Sequence, residues 1–363
     1  MNGPILLAMI ALLFCGPGVR AQDPPAPPPK APDAPSSQPE ASPAADADPA
    51  PTLFPHSESS RYWLSGQVNV IFQSHPSFPA KYSAINSLKP RGENATSQLL
   101  TLYTGFALTP TTELLIDPEL AGGRGLSGTV GVAGFPNLDV VRIPALTVSK
   151  LYLARFLLRK VIPLSQEKVT AERGPLSLAT SLPARRLELR IGKFSLVDFF
   201  DLNSAGSDSH LQFMNWTVDN NGAFDYAANT RGYTWAALIE YDSGRWALRF
   251  AEALMPKVAN GINLDASLSR ARAENMEVEL RGNFLRRRAG AVRFLSYVNH
   301  ANMGSYREAV DNFIAGRTPV PDITAHPLRT TIKYGFGANL EQALNSWLTA
   351  FARWGWNEGQ HES

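Results

Sequence analysis

The sequence predicts an all-β protein whose antiparallel strands form a transmembrane β-barrel, and three observations support this prediction. After Arg61, apolar and polar residues alternate in run after run, which is the period of a strand with two unlike faces. The runs are about 9 to 13 residues long, which is enough for a tilted strand to cross a bilayer. Aromatic residues such as Tyr233 and Tyr241 stand at the ends of an apolar stripe, where a barrel places its interfacial girdles.

A soluble β-sandwich is the alternative, because its strands also have one apolar face and one charged face. The spacing of the connections favours the barrel, since short turns such as 109–112 and 242–244 alternate with long segments such as 196–230 and 300–326. Barrels have this pattern because their periplasmic turns are short and their external loops are long. The segment 161–184 departs from the pattern, since it is long where a short turn is expected.

The N-terminus predicts export. An apolar core of secretory length, Ile5–Cys15, precedes a small-residue cleavage site at Ala21, so residues 1–21 are predicted to be a signal peptide. Residues 22–58 are rich in proline and alanine and cannot bury a core, which predicts a disordered periplasmic linker. The barrel domain is expected to span 59–363. The one cysteine of the chain lies in the signal peptide, so no disulfide is expected in the mature chain.

Composition and motifs argue against several other classes of protein. The 363 residues have a formal net charge of +2 and no basic run interleaved with aromatic residues, so no nucleic-acid partner is predicted. The six histidines lack metal-ligand spacing and no G-x-S-x-G motif occurs, so neither a metal site nor an enzyme is predicted. Gly123–Gly128 fits a dinucleotide fingerprint, but a glycine-broken segment follows it instead of a helix, so no cofactor is predicted.

The predicted strands follow one another along the chain, each with one apolar and one charged face. They include Tyr62–Phe72, 113–120, Tyr152–Arg159, 186–191, the hairpin 233–250 with its turn at 242–244, Asn275–Arg281 and Arg329–Phe336. The third run is expected to place Tyr152, Ala154, Phe156 and Leu158 on the outer face and Arg155, Leu157 and Arg159 on the inner face.

The end of the sequence bears on the completeness of the barrel. The alternating runs amount to about eleven strands up to Trp356, and the polar segment Asn357–Ser363 follows. A single-chain bacterial barrel has an even number of strands and no free edge. We therefore expect a barrel domain that is incomplete at its C-terminus.

Five stretches carry a resemblance to a known family. They are Thr112–Leu120, Ile191–Asp201, Gln212–Trp216, Asp225–Tyr233 and Phe351–Asn357, within a region that extends from about residue 61 to 363. These stretches resemble the carbohydrate-selective porin family of OprB-like outer-membrane channels. The resemblance implies a barrel of about sixteen strands, passive uptake of sugars, and an inner constriction of arginines and acidic side chains. The last several strands of the family pattern are absent from this sequence.

The charged faces of the strands contain both signs, which suits sugars better than ions. Sugars offer many hydroxyls and no charge, so a selective passage needs many donors and acceptors, whereas an ion-selective pore has a ring of one sign. The predicted pore-lining, substrate-binding residues are Glu113, Asp117, Glu119, Arg142, Arg155, Arg190, Asp198 and Asp201. The last two belong to the acidic segment 198–208, for which two interpretations stay open: a loop that folds inward to narrow the pore, or a solvated loop. The alternative for each charge is an ion pair across neighbouring strands.

The function that the resemblance implies is passive, carbohydrate-selective diffusion across the bacterial outer membrane. The expected partners are mono- or oligosaccharides and outer-membrane lipid. Two alternatives stay open: a structural or adhesive barrel whose proline-rich arm contacts the cell wall, and a general non-selective porin. The oligomeric state is open between a monomer and a trimer.

Overall fold

The computed structural model of the protein describes residues 54–57, 59–85, 87–129, 134, 136–138 and 150–362. The predicted signal peptide 1–21, most of the predicted linker 22–58, and Arg142 lie outside these residues. Within the described ranges, no helix combines the length and the apolar character that crossing a membrane requires.

In the part of the chain that the structure describes, eleven antiparallel strands form one large sheet in which chain neighbours pair. The strands are β1 (Tyr62–His75), β2 (Glu93–Thr109), β3 (Thr112–Gly123), β4 (Lys150–Pro163), β5 (Lys168–Thr170), β6 (Ser181–Pro183), β7 (Arg186–Phe194), β8 (Thr234–Asp242), β9 (Trp246–Leu254), β10 (Arg272–Asn283), β11 (Ala289–Ala301), β12 (Thr331–Ala343) and β13 (Thr349–Asn357). β5 and β6 form a separate small sheet, so β7 follows β4 in the large one. The helices are α1 (Trp216–Asp219) and α2 (Tyr306–Ile314). The predicted antiparallel fold with about eleven strands is confirmed.

The two faces of the large sheet have the opposite polarity to those of a soluble protein. Asp117 and Glu277 on the inner face are 0% exposed, whereas Ile191 and Phe294 on the outer face are 59% and 53% exposed. Soluble proteins bury apolar side chains and keep carboxylates in water. A barrel in lipid reverses this, because its apolar face meets hydrocarbon and its polar face encloses the lumen.

Short and long connections lie at opposite ends of the strands. The short ones are 110–111, 243–245, 284–288 and 344–348, at what we call the turn end. The long ones are 76–92, 195–233, 255–271 and 302–330, at what we call the loop end, where β3 also ends and β4 begins. One connection breaks the rule: 164–185 joins β4 to β7 at the turn end and contains the β5–β6 hairpin.

A β-bulge between β3 and β4 corrects the predicted faces of the third run. Asp117 pairs with Arg155 but its neighbour Pro118 pairs with Leu153, so Ala154 is an extra residue. Proline has no N–H to offer the ladder, and bulges are among the few places where a sheet accepts it. Beyond the bulge the side chains change face. The prediction that Tyr152 and Ala154 face outward was therefore wrong, since Ala154 is fully buried and Tyr152 points into the lumen.

Residues 195–233, which we call the internal loop, fold into the lumen. Phe199, Phe200 and Phe224 of this loop are buried, and the ring centroid of Phe224 lies 5.5 Å from that of Tyr297 on β11. Each buried ring of this size contributes about 1.5–3 kcal/mol. The inner wall offers room for these rings because it carries small residues there, such as Ala251 on β9.

Candidate functional site

A band of ion pairs crosses the inner wall from β3 to β12 near the turn end. Each arginine bridges carboxylates on two different strands, and the N···O distances are between 2.5 and 3.1 Å. The bridges are Arg159 to Glu113 (2.9 Å) and Glu188 (2.7 Å), Arg190 to Glu188 (2.5 Å) and Glu240 (2.8 Å), Arg249 to Glu240 (3.1 Å), Glu277 (2.8 Å) and Glu279 (2.5 Å), and Arg293 to Glu279 (2.8 Å) and Glu341 (3.1 Å). Their positive and negative charges neutralise one another locally.

Two of the predicted site residues, Glu113 and Arg190, belong to this ion-pair band. Glu113 accepts from Arg159, and Arg190 donates to Glu188 and Glu240. Arg190 also stacks on the ring of Phe199, with 4.6 Å between its guanidinium carbon and the ring centroid. These contacts are ion pairs of the kind that was the alternative to substrate binding. Contact between a sugar and Glu113 or Arg190 stays a prediction.

Three further predicted residues meet at a second position, closer to the loop end. Arg155 donates to Asp198 of the internal loop through Nε (2.8 Å) and Nη2 (2.5 Å), and to Asp117 of β3 through Nη1 (3.3 Å). Asp117 also accepts the backbone N–H of Thr104 at 3.1 Å. Arg155 therefore connects the barrel wall to the internal loop with charge-assisted hydrogen bonds.

Glu119 is the centre of a polar and aromatic patch. Its carboxylate accepts hydrogen bonds from the hydroxyls of Thr101 (2.7 Å), Tyr152 and Tyr233 (3.2 Å). The guanidinium of Arg231 lies 3.6 Å from the centroid of the Tyr152 ring, in cation–π contact. Sequence reasoning missed Tyr152 because of the bulge. Arg231 was not singled out, although Asp225–Tyr233 was among the stretches that carried the family resemblance.

Asp201 anchors the internal loop to the far wall. Its carboxylate contacts Nε of Arg353 on β13 at 2.8 Å and accepts the backbone N–H of Asn221 at 2.7 Å and Nδ2 of Asn339 at 3.0 Å. Its own backbone N–H donates to Glu277 of the ion-pair band at 2.7 Å. Burial raises the pKa of the Asp201 carboxyl above its ordinary value, although these partners stabilise its charged form.

The wall is shaped to receive this anchor. At Gly355 on β13 an added Cβ would lie 2.1 Å from Oδ1 of Asn221, so only glycine allows the loop to approach this closely. A second anchor lies nearer the loop end, where Lys333 contacts the carboxylate of Asp225 at 3.3 Å and Tyr297 donates to the carbonyl of Ala223 at 2.8 Å. Burial raises the pKa of Asp225 as well, against the opposing effect of Lys333.

A cavity of about 1590 Å³ lies between the wall and the internal loop. This exceeds the roughly 300–1,000 Å³ of a typical small-molecule pocket, as a passage would. Of the predicted site residues, Glu119, Arg155 and Asp198 line it, together with Tyr103, Tyr152, Arg231 and Tyr233. Asp117 and Asp201 lie behind this lining, buried against their partners.

Comparisons with known proteins agree with this architecture. The model of the carbohydrate-selective porin, OprB family, matches residues 86–362. The chain is similar in fold to OprB of Pseudomonas putida in its high-pH structure, with a TM-score of 0.53 and 12% identity over 83% of this chain and 67% of that chain. No curated protein matches the sequence. The structural likeness bears on the fold, and the family match covers most of the chain: this protein belongs to the OprB family of carbohydrate-selective porins.

Proposed function

We propose that sugars pass through the cavity between the wall strands β2–β4 and the internal loop. As a family member, the chain is an outer-membrane channel for passive, carbohydrate-selective diffusion. The observation that supports this route is the patch around Glu119. There, two tyrosine rings, a carboxylate and two guanidinium groups line one cavity.

The chemistry of the patch suits an uncharged polyol. Tyr152 and Tyr233 offer ring faces and hydroxyls, with their ring centroids 6.5 Å apart. Arg155 and Asp198 supply donors and acceptors whose charges compensate each other. A sugar hydroxyl can replace one hydrogen bond of such a set without leaving a charge unpaired. The patch does not select ions of one sign, because its charges do not form a ring of a single sign.

The predicted site residues divide into two roles in this proposal. Glu119, Arg155 and Asp198 line the cavity and contact the sugar. Glu113, Asp117, Arg190 and Asp201 are positioning residues, because they hold the wall and the internal loop that shape the cavity.

The outer face is proposed to contact outer-membrane lipid. Aromatic residues on that face cluster towards both ends of the strands. Tyr241 and Trp246 lie 5.0 Å apart between ring centroids at the turn end, and Phe336 stacks on Trp356 at 6.0 Å on β12 and β13. Such rings occupy the headgroup level of a bilayer in barrels.

The route is tested by replacing Arg155 with alanine in the full chain reconstituted in liposomes. We expect slower swelling in glucose and in maltodextrins. We also expect a shift of the reversal potential towards cation preference, because Asp117 and Asp198 lose the guanidinium that compensates them. Planar-bilayer recordings in a potassium chloride gradient measure the second effect.

Arg270→Ala is the matched control, because Arg270 is 64% exposed and its ion pair with Asp265 lies in a connection at the loop end. It should behave like the unmodified protein. Equal flux and equal reversal potential for Arg155→Ala and the control would contradict the proposed route. If the correctly inserted, unmodified protein allowed no swelling in any sugar, passage through this cavity would be rejected altogether.

A further inference from the structure

The connection 164–185 is the exception among the connections at the turn end. Pro163 and Arg186 face each other in the ladder between β4 and β7, so a two-residue turn could join them directly. The chain instead inserts the β5–β6 hairpin there. The base of this hairpin, Lys168–Thr170, is exposed, whereas Arg173 and Leu178 near its tip are 2% and 6% exposed.

The tip of the hairpin, residues 172–178, packs inside the wall. Leu178 belongs to the same buried cluster as Leu115 of β3, and Ser177 accepts a hydrogen bond from Arg159 of the ion-pair band at 2.7 Å. The wall is recessed at this point, because a Cβ on Gly105 would lie only 2.5 Å from Cδ1 of Leu178. The hairpin therefore bends into the lumen, and its tip packs against the recessed part of the wall at Gly105.

Arg173 fixes the tip from its other side. Its guanidinium donates to the backbone carbonyls of Ser57 (2.8 Å), Ser60 (2.7 Å) and Tyr62. The first two carbonyls belong to the segment that leads into β1, and the third belongs to the first residue of β1. The tip is thus held both by the wall and by the entering chain, as a fixed part of the lumen would be.

The tip and the internal loop line the same cavity, the tip through Glu172, Pro175 and Ser177 among others. The hairpin enters the lumen from the turn end, so its tip lies between this cavity and that end of the strands. We propose that the hairpin forms a second constriction, in series with the internal loop, which limits the size of the oligosaccharides that complete the passage. This inference rests on the proposed function.

Replacing residues 164–185 by Asn-Gly tests the proposal, since that pair forms the tight turn suited to Pro163 and Arg186. We expect a severalfold rise in single-channel conductance. Liposomes should also swell in maltodextrins that the unmodified protein excludes. An inserted variant with unchanged conductance and an unchanged size limit would overturn the proposal.

A labelling experiment keeps the test decisive if the shortened chain does not fold. The single cysteine of the sequence is Cys15 of the predicted signal peptide, so Pro175→Cys introduces a unique thiol at an exposed position of the tip. A bulky methanethiosulfonate added from the turn end should lower the conductance of Pro175→Cys severalfold. Lys168→Cys, at the exposed base of the hairpin, is the control and should not respond.

The outcomes of the labelling separate this inference from the proposed function. If labelled Pro175→Cys and labelled Lys168→Cys conduct alike, the hairpin is not a constriction, even where sugars pass. If the label blocks ions through Pro175→Cys but no sugar enters liposomes with the unmodified protein, the constriction stands and sugar passage fails.

Discussion

Arg353→Leu is expected to release the internal loop and to open the pore. Arg353 contacts Asp201 and also donates to the carbonyls of Gly206 (2.8 Å) and Val218 (2.6 Å) and to the hydroxyl of Ser207 (2.8 Å). Removing one partner of a buried ion pair costs about 3–5 kcal/mol. Here the lost free energy weakens the binding of the internal loop to the wall, because all of these partners belong to residues 195–233.

Three measurements follow this release. The single-channel conductance should rise severalfold, discrimination between glucose and larger maltodextrins should fall, and protease added from the loop end should cleave within 195–233 faster. Trp354→Leu is the matched control, since Trp354 is the next residue on β13 but faces outward with 42% exposure. Should Arg353→Leu conduct and resist protease as Trp354→Leu does, the loop is not held by Arg353.

Arg249→Leu is expected to destabilise the barrel itself. Its guanidinium serves three carboxylates, Glu240 on β8 and Glu277 and Glu279 on β10, and Glu277 is 0% exposed. Without Arg249 these negative charges share a low-dielectric region with fewer cations. We expect a loss of unfolding free energy of at least about 3–5 kcal/mol, measured by urea titration in detergent micelles.

A double-mutant cycle assigns this loss to the ion pairs. Glu277→Gln combined with Arg249→Leu should cost less than the sum of the single changes, because the variant removes both members of one pair. Arg272→Leu is the control on the neighbouring strand β10, since Arg272 pairs with Glu274 on the outer face at 28% exposure, where such a pair contributes at most about 1 kcal/mol. Equal losses for Arg249→Leu and Arg272→Leu would show that the band adds nothing beyond surface pairs.

The sequence allowed the strands and their faces to be predicted because a period of two is a local property. Glu113, Asp117 and Glu119 occupy the inner face as their alternation indicates. The exception, Tyr152, follows from Pro118, which lies on the neighbouring strand and so does not disturb the pattern of β4 itself.

The partners of the site residues could not be predicted in the same way. Asp198 and Asp201 were recognised as acidic residues of a candidate pore-lining loop, but their cations, Arg155 and Arg353, lie 43 and 152 positions away in the chain. Alternation assigns a side chain to a face and not to a neighbour on that face. For the same reason, the length of 161–184 was noticed as unusual while the inward bend of the hairpin was not.

The ion-pair band has a consequence for how the strands find their alignment during assembly. If one strand slides by two residues against its neighbour, every apolar side chain still points to lipid, so the membrane cannot distinguish the two alignments. The charges distinguish the two alignments, because Arg159 pairs with both Glu113 and Glu188. Arg249 likewise pairs with both Glu240 and Glu277. A slip that brings Arg159 opposite Leu115, or Arg249 opposite Leu238, would separate these guanidinium groups from their carboxylates. The ion-pair band thus selects one alignment of the strands among several that expose the same apolar side chains to lipid.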